Sequence, residues 1–570
     1  MRRTLRLGPT AWAAAAAIFL SSGCTGYKEW VDNNFKVGPN YCTPKARVAE
    51  HWIDASDIRV RKDSDDLSRW WTVFHDSTLN SLIHDAYHQD LTLKEAGFRV
   101  LAARANLAIV AGNLFPQTQT ATGGYERVAT AVFPSPGVPA STFYSSRWNY
   151  GFNLSWELDF WGAFRRAVAQ ADRQLESSVE NYDDALVTLL GDVATNYVLA
   201  RQYQEEIALT QANVDLQRGV LKIIQARLAA GTVSELDVDQ AQATLSQTEA
   251  QIPVFRISLR EVENHLCTLM GMPPTELEHR LGVASIPTAP PDVAVGIPAN
   301  LLSRRPDIRS AERAAAAQSE AIGIAKSNFY PHISIAGTLD YSAEQFKDLF
   351  KSTAFNGSVG PQFTWNILNY GRIANNVKLQ DANFQLAVLT YQQTVLSASE
   401  EAENGVVTFL RAHERAKVLT EGVVAAQKAV NIVINQYKVG SVDFNRVATI
   451  EQALVQEQDL QAQARGQIGT GLVQVYRALG GGWQLRLGDS KEGEPAALPA
   501  TPLSVPGLPE ELPAPKPVPE DPQQQKPKEK PLPKVEATTQ TANPDSDARK
   551  DSEATAPKRS LLQIVRDVAM

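Results

Sequence analysis

Among 570 residues there are three cysteines, and they sit at three kinds of position: Cys24 ends a leader, Cys42 lies in a loop-like run and Cys267 in a helical one. Three thiols cannot build a disulfide framework. A Cys42–Cys267 bridge would need an oxidising compartment and a close approach that sequence does not give, so the expectation is that it does not form. Walker loops, G-x-S-x-G elbows, C-x-x-C pairs and H-E-x-x-H helices are also missing, which removes the commonest nucleotide, hydrolase, redox and zinc-protease chemistries. His84 and His88 are four apart on a helical stretch, but two imidazoles without a third ligand read as a wet helix face. The chain is therefore expected to be no enzyme and to need neither cofactor nor metal. There is no basic excess: 55 Lys and Arg against 63 Asp and Glu give −8, so no nucleic-acid partner is indicated. The apolar run Ala11–Leu20 is too short to span a bilayer permanently.

Proline is missing from two long stretches, 164–228 and the interval between Pro361 and Pro495. In the first, Val168, Leu175, Val179, Tyr182, Leu186, Leu190, Val193 and Tyr197 recur at three-, four- or seven-residue steps, the spacing of a coiled-coil-like helix. Such a helix would be roughly 95 Å long at about 1.5 Å per residue. Directly before it, Trp148, Tyr150, Phe152, Leu154, Trp156, Leu158 and Phe160 alternate with Asn149, Gly151, Asn153, Ser155, Glu157 and Asp159, which gives a strand one apolar and one polar face. The pattern returns. Trp365, Gly371, Tyr391, Val407, Gly440, Val442, Val447 and Gly480 repeat Trp156, Gly162, Tyr182, Val198, Gly231, Val233, Val238 and Gly271 at one offset (365 − 156 = 209). Asn113–Pro116 matches Asn328–Pro331 at 215 (331 − 116). The chain is a tandem duplication of helix, strand, loop, strand, very long helix and return helix.

Taken in order, residues 1–23 read as an export signal with Arg2, Arg3 and Arg6 at its start. Residues 24–66 read as an extended linker, and 67–274 as the first repeat. In that repeat Leu79, Leu82, Ile83 and Ala86 share a helix face, a second helix runs over about 91–113, and 117–127 forms a weak strand. Residues 128–147, rich in proline, read as a loop. A return helix over about 235–270 should kink or break near Pro253. Residues 275–303 connect to the second repeat, 304–483. There Ile333, Ile335, Leu339 and Tyr341 alternate with polar residues, as do Val359, Phe363, Trp365 and Ile367. Glu400, Glu401 and Glu403 are read as a solvated or lumen-facing stripe. Residues 484–570 turn rich in proline, lysine and glutamate and should be disordered.

Four strands cannot close a barrel, and open edges are not tolerated in a bilayer. Two chains would give eight strands with an interior filled by side chains, whereas three would give twelve and room for water. Trp148, Tyr150, Trp156 and Phe160 would lie at the interfacial girdles. Asn153, Ser155, Glu157, Gln362, Thr364 and Asn366 would line the lumen. The fold class expected is an α+β membrane protein whose duplicated protomer gives four transmembrane strands to a trimeric twelve-stranded β-barrel, continued by a long periplasmic helical barrel. A soluble β-sandwich fails to explain helices of about 65 residues growing out of the strands.

The start of the chain resembles a bacterial lipoprotein signal with Cys24 as the lipidated residue, although Leu20 stands one place further from the cysteine than usual and Ser21 takes its position. The rest resembles the TolC-like outer membrane factor family, in its efflux lipoprotein subgroup, over about residues 24–485. The motifs are Val37-Gly-Pro-Asn-Tyr41, Trp70-Trp-Thr-Val-Phe-His-Asp76, Trp156-Glu-Leu-Asp-Phe-Trp-Gly162, Gly231-Thr-Val-Ser-Glu-Leu-Asp237, Gln251-Ile-Pro253, Arg304-Arg-Pro-Asp-Ile308 and Ala478-Leu-Gly-Gly-Gly-Trp483. The resemblance implies a homotrimer in outer-membrane lipid that conducts substrates outward, completed by a periplasmic adaptor and an inner-membrane pump. A polypeptide-secretion outlet, or an envelope-spanning structural lipoprotein, is the alternative. It also implies that the turns Gly231-Thr232-Val233 and Gly440-Ser441-Val442 meet the adaptor and close the resting pore. Where the family often has an apolar residue this chain has Asn445, so closure would lean on Arg446 with Asp237 or Asp443, near Thr449.

Overall fold

The computed structural model describes residues 27–63, 66–132 and 141–488. The leader with Cys24, the middle of the first hairpin loop and the Pro-rich tail lie outside the described residues.

The duplication is visible residue by residue. Helix α1 spans Tyr27–Asp32, α2 Ser77–Gln89 and α3 Leu91–Gly112. Strands β2 (Thr118–Val132) and β3 (Ser141–Leu158) lead into α4 (Ala163–Ala229). In the second half α7 (Pro306–Ser327), β5 (His332–Ala343) and β6 (Phe355–Thr364) lead into α8 (Arg372–Lys438). Both long helices have 67 residues and their ends keep the sequence offset (372 − 163 = 209; 438 − 229 = 209). Each is entered through a left-handed glycine, Gly162 at φ 82° and Gly371 at φ 80°, where a side chain would be strained. The first return path is α5 (Glu235–Glu249) followed by α6 (Gln251–Leu269), with the break at Ala250, three residues before Pro253, whose missing N–H and ring disrupt the preceding turn. The second, α9 (Phe444–Ala478), has no proline and stays whole.

The four long strands form one antiparallel sheet in the order β2-β3-β5-β6, with β2 and β6 as open edges. Two strand assignments need correction. The hairpin reaches further than expected, since 128–132 and 141–147 belong to β2 and β3; the prolines that suggested a long loop fall between them, at 134, 136 and 139. And β6 starts early and stops at Thr364, so Trp365, Asn366 and Ile367 lie beyond the strand. Among the described residues no helix is long and apolar enough to cross a membrane.

The 24–66 stretch is not the bare linker its aperiodic sequence suggests. Val37, Trp52 and Val60 are buried, and β1 (Val60–Arg61) pairs in parallel with β4 (Val293–Ala294) of the connector. Arg166, fully buried, fixes the path: its Nε donates to Val37 O at 2.6 Å, Nη2 to Gly38 O at 2.9 Å and Nη1 to Glu320 at 2.6 Å. The main apolar core gathers Trp70, Trp71, Leu79, Leu82, Ile83, Leu190, Tyr197, Phe409 and Leu472 around the middle of the helices. Each such side chain contributes about 1.5–3 kcal/mol by burial. A second, smaller core of Val214, Ile224, Val433, Tyr437, Phe444 and Val447 lies towards the far turns. Cys42 is exposed and Cys267 buried, both free.

Candidate channel surfaces

Register sorts the sheet into two chemically distinct faces. Trp148, Tyr150, Phe152, Leu154, Trp156 and Leu158 pair with Ala343, Tyr341, Leu339, Gly337, Ile335 and Ile333. These in turn pair with Phe355, Gly357, Val359, Pro361 and Phe363. Since partners share a face, one side is apolar across three strands. It is open to its surroundings: Phe152 is 62% exposed, Val359 77% and Phe363 69%. The other side carries Asn149, Asn153, Ser155 and Glu157 opposite Ser342, Thr338, Ala336 and Ser334, and then Ser358, Gln362 and Thr364. Five of the six residues expected on a lumen face therefore share one surface. Asn366, past the strand, instead lines a cavity with Asn328, Asn369, Arg372 and Asn376 where α8 begins. Near the same end His332 Nδ1 lies 2.6 Å from Glu157 Oε1, a contact the alternation alone did not reveal.

At the far ends of the long helices the two turns meet. Gly231 and Gly440 are left-handed, and Thr232 and Ser441 donate from both N and Oγ to Arg227 O and Gln436 O, each at 3.0 Å. Arg227 Nη1 donates to Tyr437 O at 2.5 Å, with the guanidinium 4.7 Å above that ring. Gln240 Nε2 donates to Asn445 Oδ1 at 3.2 Å, and Thr449 Oγ1 to Asn445 O at 2.8 Å. The carboxylates are occupied as helix caps: Asp237 accepts from Ser234 N and Oγ, both at 3.0 Å, and Asp443 from Arg446 N at 3.0 Å. Among the described residues no ion pair joins the Arg446 guanidinium to Asp237 or Asp443 within the chain.

Of the acidic triplet, two glutamates are engaged, while Glu400 is exposed. Glu401 pairs with Arg305 at 2.8 Å, and Glu403 accepts from Ile53 N at 3.0 Å. Arg305 also clasps Asp307 through two bonds of 3.0 and 2.8 Å and donates to Ala478 O at 2.8 Å, which ties the start of α7 to α8 and to the end of α9. His84 and His88 have ring centroids 4.5 Å apart on an exposed face.

Between the two apolar cores lies a polar stretch that sequence reasoning missed. Gln202, Glu206, Thr210, Asn213 and Gln217 of α4 are buried, as is Glu451 of α9. Glu206 accepts from Gln202 at 2.9 Å, and Asn213 donates to Gln458 at 2.7 Å. Gln217, Glu451 Oε1 and Asp459 Oδ1 have no partner among the described residues. Burial raises Glu206 to about 7, helped by Asp459 and Glu205 against the Gln202 hydrogen bond, and burial raises Glu451 to about 7.

Known proteins resemble this chain over both repeats. The family model described as outer membrane efflux protein matches residues 82–272 and 297–481. Nodulation protein T of Rhizobium leguminosarum bv. trifolii is 30% identical over 412 residues, 71% of this chain and 85% of that protein. The pyoverdine export outer membrane protein OpmQ of Pseudomonas aeruginosa is 28% identical over 431 residues, 74% of this chain and 89% of its own length. The solved structure of the outer-membrane channel OprN superposes with a TM-score of 0.73 at 31% identity, covering 79% of this chain and 99% of that one. With two amphipathic hairpins feeding two 67-residue helices, and the family match across both, the chain belongs to the outer membrane efflux protein family and is an efflux channel of the outer membrane that extends into the periplasm.

Proposed function

We propose that three copies close their open β2 and β6 edges into a twelve-stranded barrel, which forms the outlet of a tripartite pump with a periplasmic adaptor and an inner-membrane transporter. The observation that carries this is the register of the sheet: on three strands every second residue is apolar, aromatic or glycine, with Phe152, Val359 and Phe363 well exposed, the opposite face is mostly polar, and among the described residues neither edge has a partner strand. A bilayer tolerates neither unpaired edge, and two chains would leave no lumen. Asn153, Ser155, Glu157, Gln362 and Thr364 then line the barrel, with Asn366 at its inner mouth. Cys24 carries the lipid that tethers the N-terminus. The turns at Gly231-Thr232-Val233 and Gly440-Ser441-Val442, the length of α4 or about 100 Å from the sheet, receive the adaptor.

The resting seal involves Asn445 and Thr449, and Arg446 reaches Asp237 or Asp443 of a neighbouring copy, because its own chain uses both carboxylates as caps. The cargo is proposed to be small molecules, in keeping with relatives named for pyoverdine export and toluene efflux. Mass measurement in detergent tests the assembly, with three copies expected and a well-folded monomer refuting it. Planar-bilayer conductance of that species, followed by co-purification of an adaptor, tests the channel.

A further inference from the structure

The N-terminal residues just after Cys24 do more than connect. Trp30, on α1, packs against Phe35 at 4.8 Å between centroids, Phe160 at 5.3 Å and Trp161 at 5.5 Å, while Trp161 stacks on Tyr330 at 4.4 Å. This knot sits at the root of β3, where Phe160 continues the alternation that ends at Leu158. Two of its members remain open to the surroundings, Phe35 at 49% and Phe160 at 45%. Asn34 and Phe35 are consecutive left-handed residues, at φ 51° and 59°, and neither is glycine. A strained pair of this kind persists only where its surroundings hold it. Here Arg165 holds it: Nη1 donates to Asn34 O at 2.7 Å and Nη2 to Phe35 O at 2.9 Å, while Nε bonds Asp159 at 2.8 Å. The effect is to keep a phenylalanine pointing outward on a short polar segment.

We infer that this aromatic knot is a second membrane anchor, with Phe35 and Phe160 seated among phospholipids of the periplasmic leaflet. The inference rests on the reading that the sheet spans the outer membrane. Its apolar face is continuous with Phe160 through Leu158 and Trp156. At the opposite end of that face stands another aromatic group, with Trp148 4.5 Å from Tyr125 and 5.1 Å from Phe346, and Tyr150 stacked on Tyr341 at 5.0 Å. From Trp148 to Leu158 is about 33 Å of strand, or roughly 25 Å of height at a tilt of about 40°, the separation of the two aromatic girdles of an outer-membrane barrel. Chain length agrees. Cys24 precedes Tyr27 by three residues, a reach of at most about 10 Å, so a lipid on Cys24 would enter the leaflet beside the knot. An extended tether alone would not need a left-handed turn clamped by an arginine.

The test uses the full Cys24→Ser protein, so that its own acyl chains cannot supply a signal, reconstituted in phosphatidylethanolamine and phosphatidylglycerol vesicles. Benzoylphenylalanine is placed singly at Phe35, at Phe152 on the sheet and at Leu236 near the far turn, and phospholipid adducts are read by mass spectrometry after illumination. Adducts at 35 and 152 but not 236 are expected. An adduct at 152 without one at 35 overturns the anchor and leaves the barrel standing; adducts at neither overturn both. As a second arm, Arg165→Ala releases the turn and should at least halve the adduct yield at position 35 while leaving that at 152 unchanged. An undiminished yield would show that the clamp does not aim Phe35.

Discussion

Two carboxylates buried along the α4–α9 seam should make the periplasmic helices tighten in acid. Glu206 and Glu451 are each 3% exposed, and both are raised from the ordinary glutamate value of 4.5 to about 7. Burial is the first cause for both. Around Glu206 stand Gln202 and Glu205 on its own helix, with Asp459 across the seam; Glu205 is itself paired with Arg465. A carboxyl group whose folded value is raised holds its proton longer in the native state than in the unfolded chain. The native state therefore gains on the unfolded one below about 4.5, and the advantage erodes as pH climbs through about 7. At about 1.4 kcal/mol per pH unit, moving from pH 5.5 to 8 should cost about 2 kcal/mol per carboxyl group.

The perturbation is Glu206→Gln with Glu451→Gln, which keeps shape and hydrogen-bonding capacity but removes the charge. Amide exchange over residues 201–217 and 447–466, corrected for the intrinsic pH dependence, reads local opening. Protection in the parent should fall about thirtyfold per carboxyl group between pH 5.5 and 8, following the same 2 kcal/mol. In the double variant it should stay flat and exceed the parent at pH 8. An unchanged pH dependence in the double variant would refute the reasoning and assign the effect to other groups.

Arg166→Ala removes a buried guanidinium that joins Val37, Gly38 and Glu320, and should cost about 3–5 kcal/mol in thermal unfolding of the detergent-solubilised protein. Gly323→Ala should reproduce much of that loss, because a Cβ there would stand 2.1 Å from Arg166 Cδ. Cys24→Ser should abolish acyl labelling yet leave assembled protein in the membrane; a mature N-terminus elsewhere would refute lipidation at that residue. Arg446→Ala should raise the resting conductance, with high salt partly mimicking it, since an exposed pair between copies contributes about 1 kcal/mol or less. Unchanged conductance in both tests would remove Arg446 from the gate.

What could be read from the residues were the features that repeat or alternate. The 209-residue offset places both ends of α8 from those of α4, and the Trp148–Leu158 alternation sorts the faces of β3, because period and parity survive in a one-dimensional record. Polar, glycine-bearing β2 runs past the expected end at Arg127 to Val132, because its length is set by pairing with β3 rather than by its own residues. The β1–β4 bridge could not be read, since two-residue strands have no period and the partners are 233 positions apart (293 − 60). Arg166, Glu206 and Glu451 were invisible for a different reason. On a long helix a charged residue reads as solvent-facing, and only the neighbouring helices and the 34–38 backbone show that these three are covered.

The two repeats keep length and turn geometry but differ where motion would matter. The first returns through α5 and α6, separated at Ala250 ahead of Pro253, whereas the second returns through the single 35-residue α9. Both return paths carry buried polar residues, Thr244, Thr248 and Glu263 on the broken one and Glu451 on the whole one, but among the described residues of the two paths the carboxylate oxygens left without a partner lie on the whole helix. Glu451 Oε1 and Asp459 Oδ1 are those oxygens, with Asp459 close enough to Glu206 of α4 to raise it, and an unsatisfied buried acceptor costs about 1–3 kcal/mol. A break frees one return path by interrupting its hydrogen-bond ladder; a polar seam loosens the other while leaving its ladder intact. In a trimer the two kinds of hairpin would alternate around the pore.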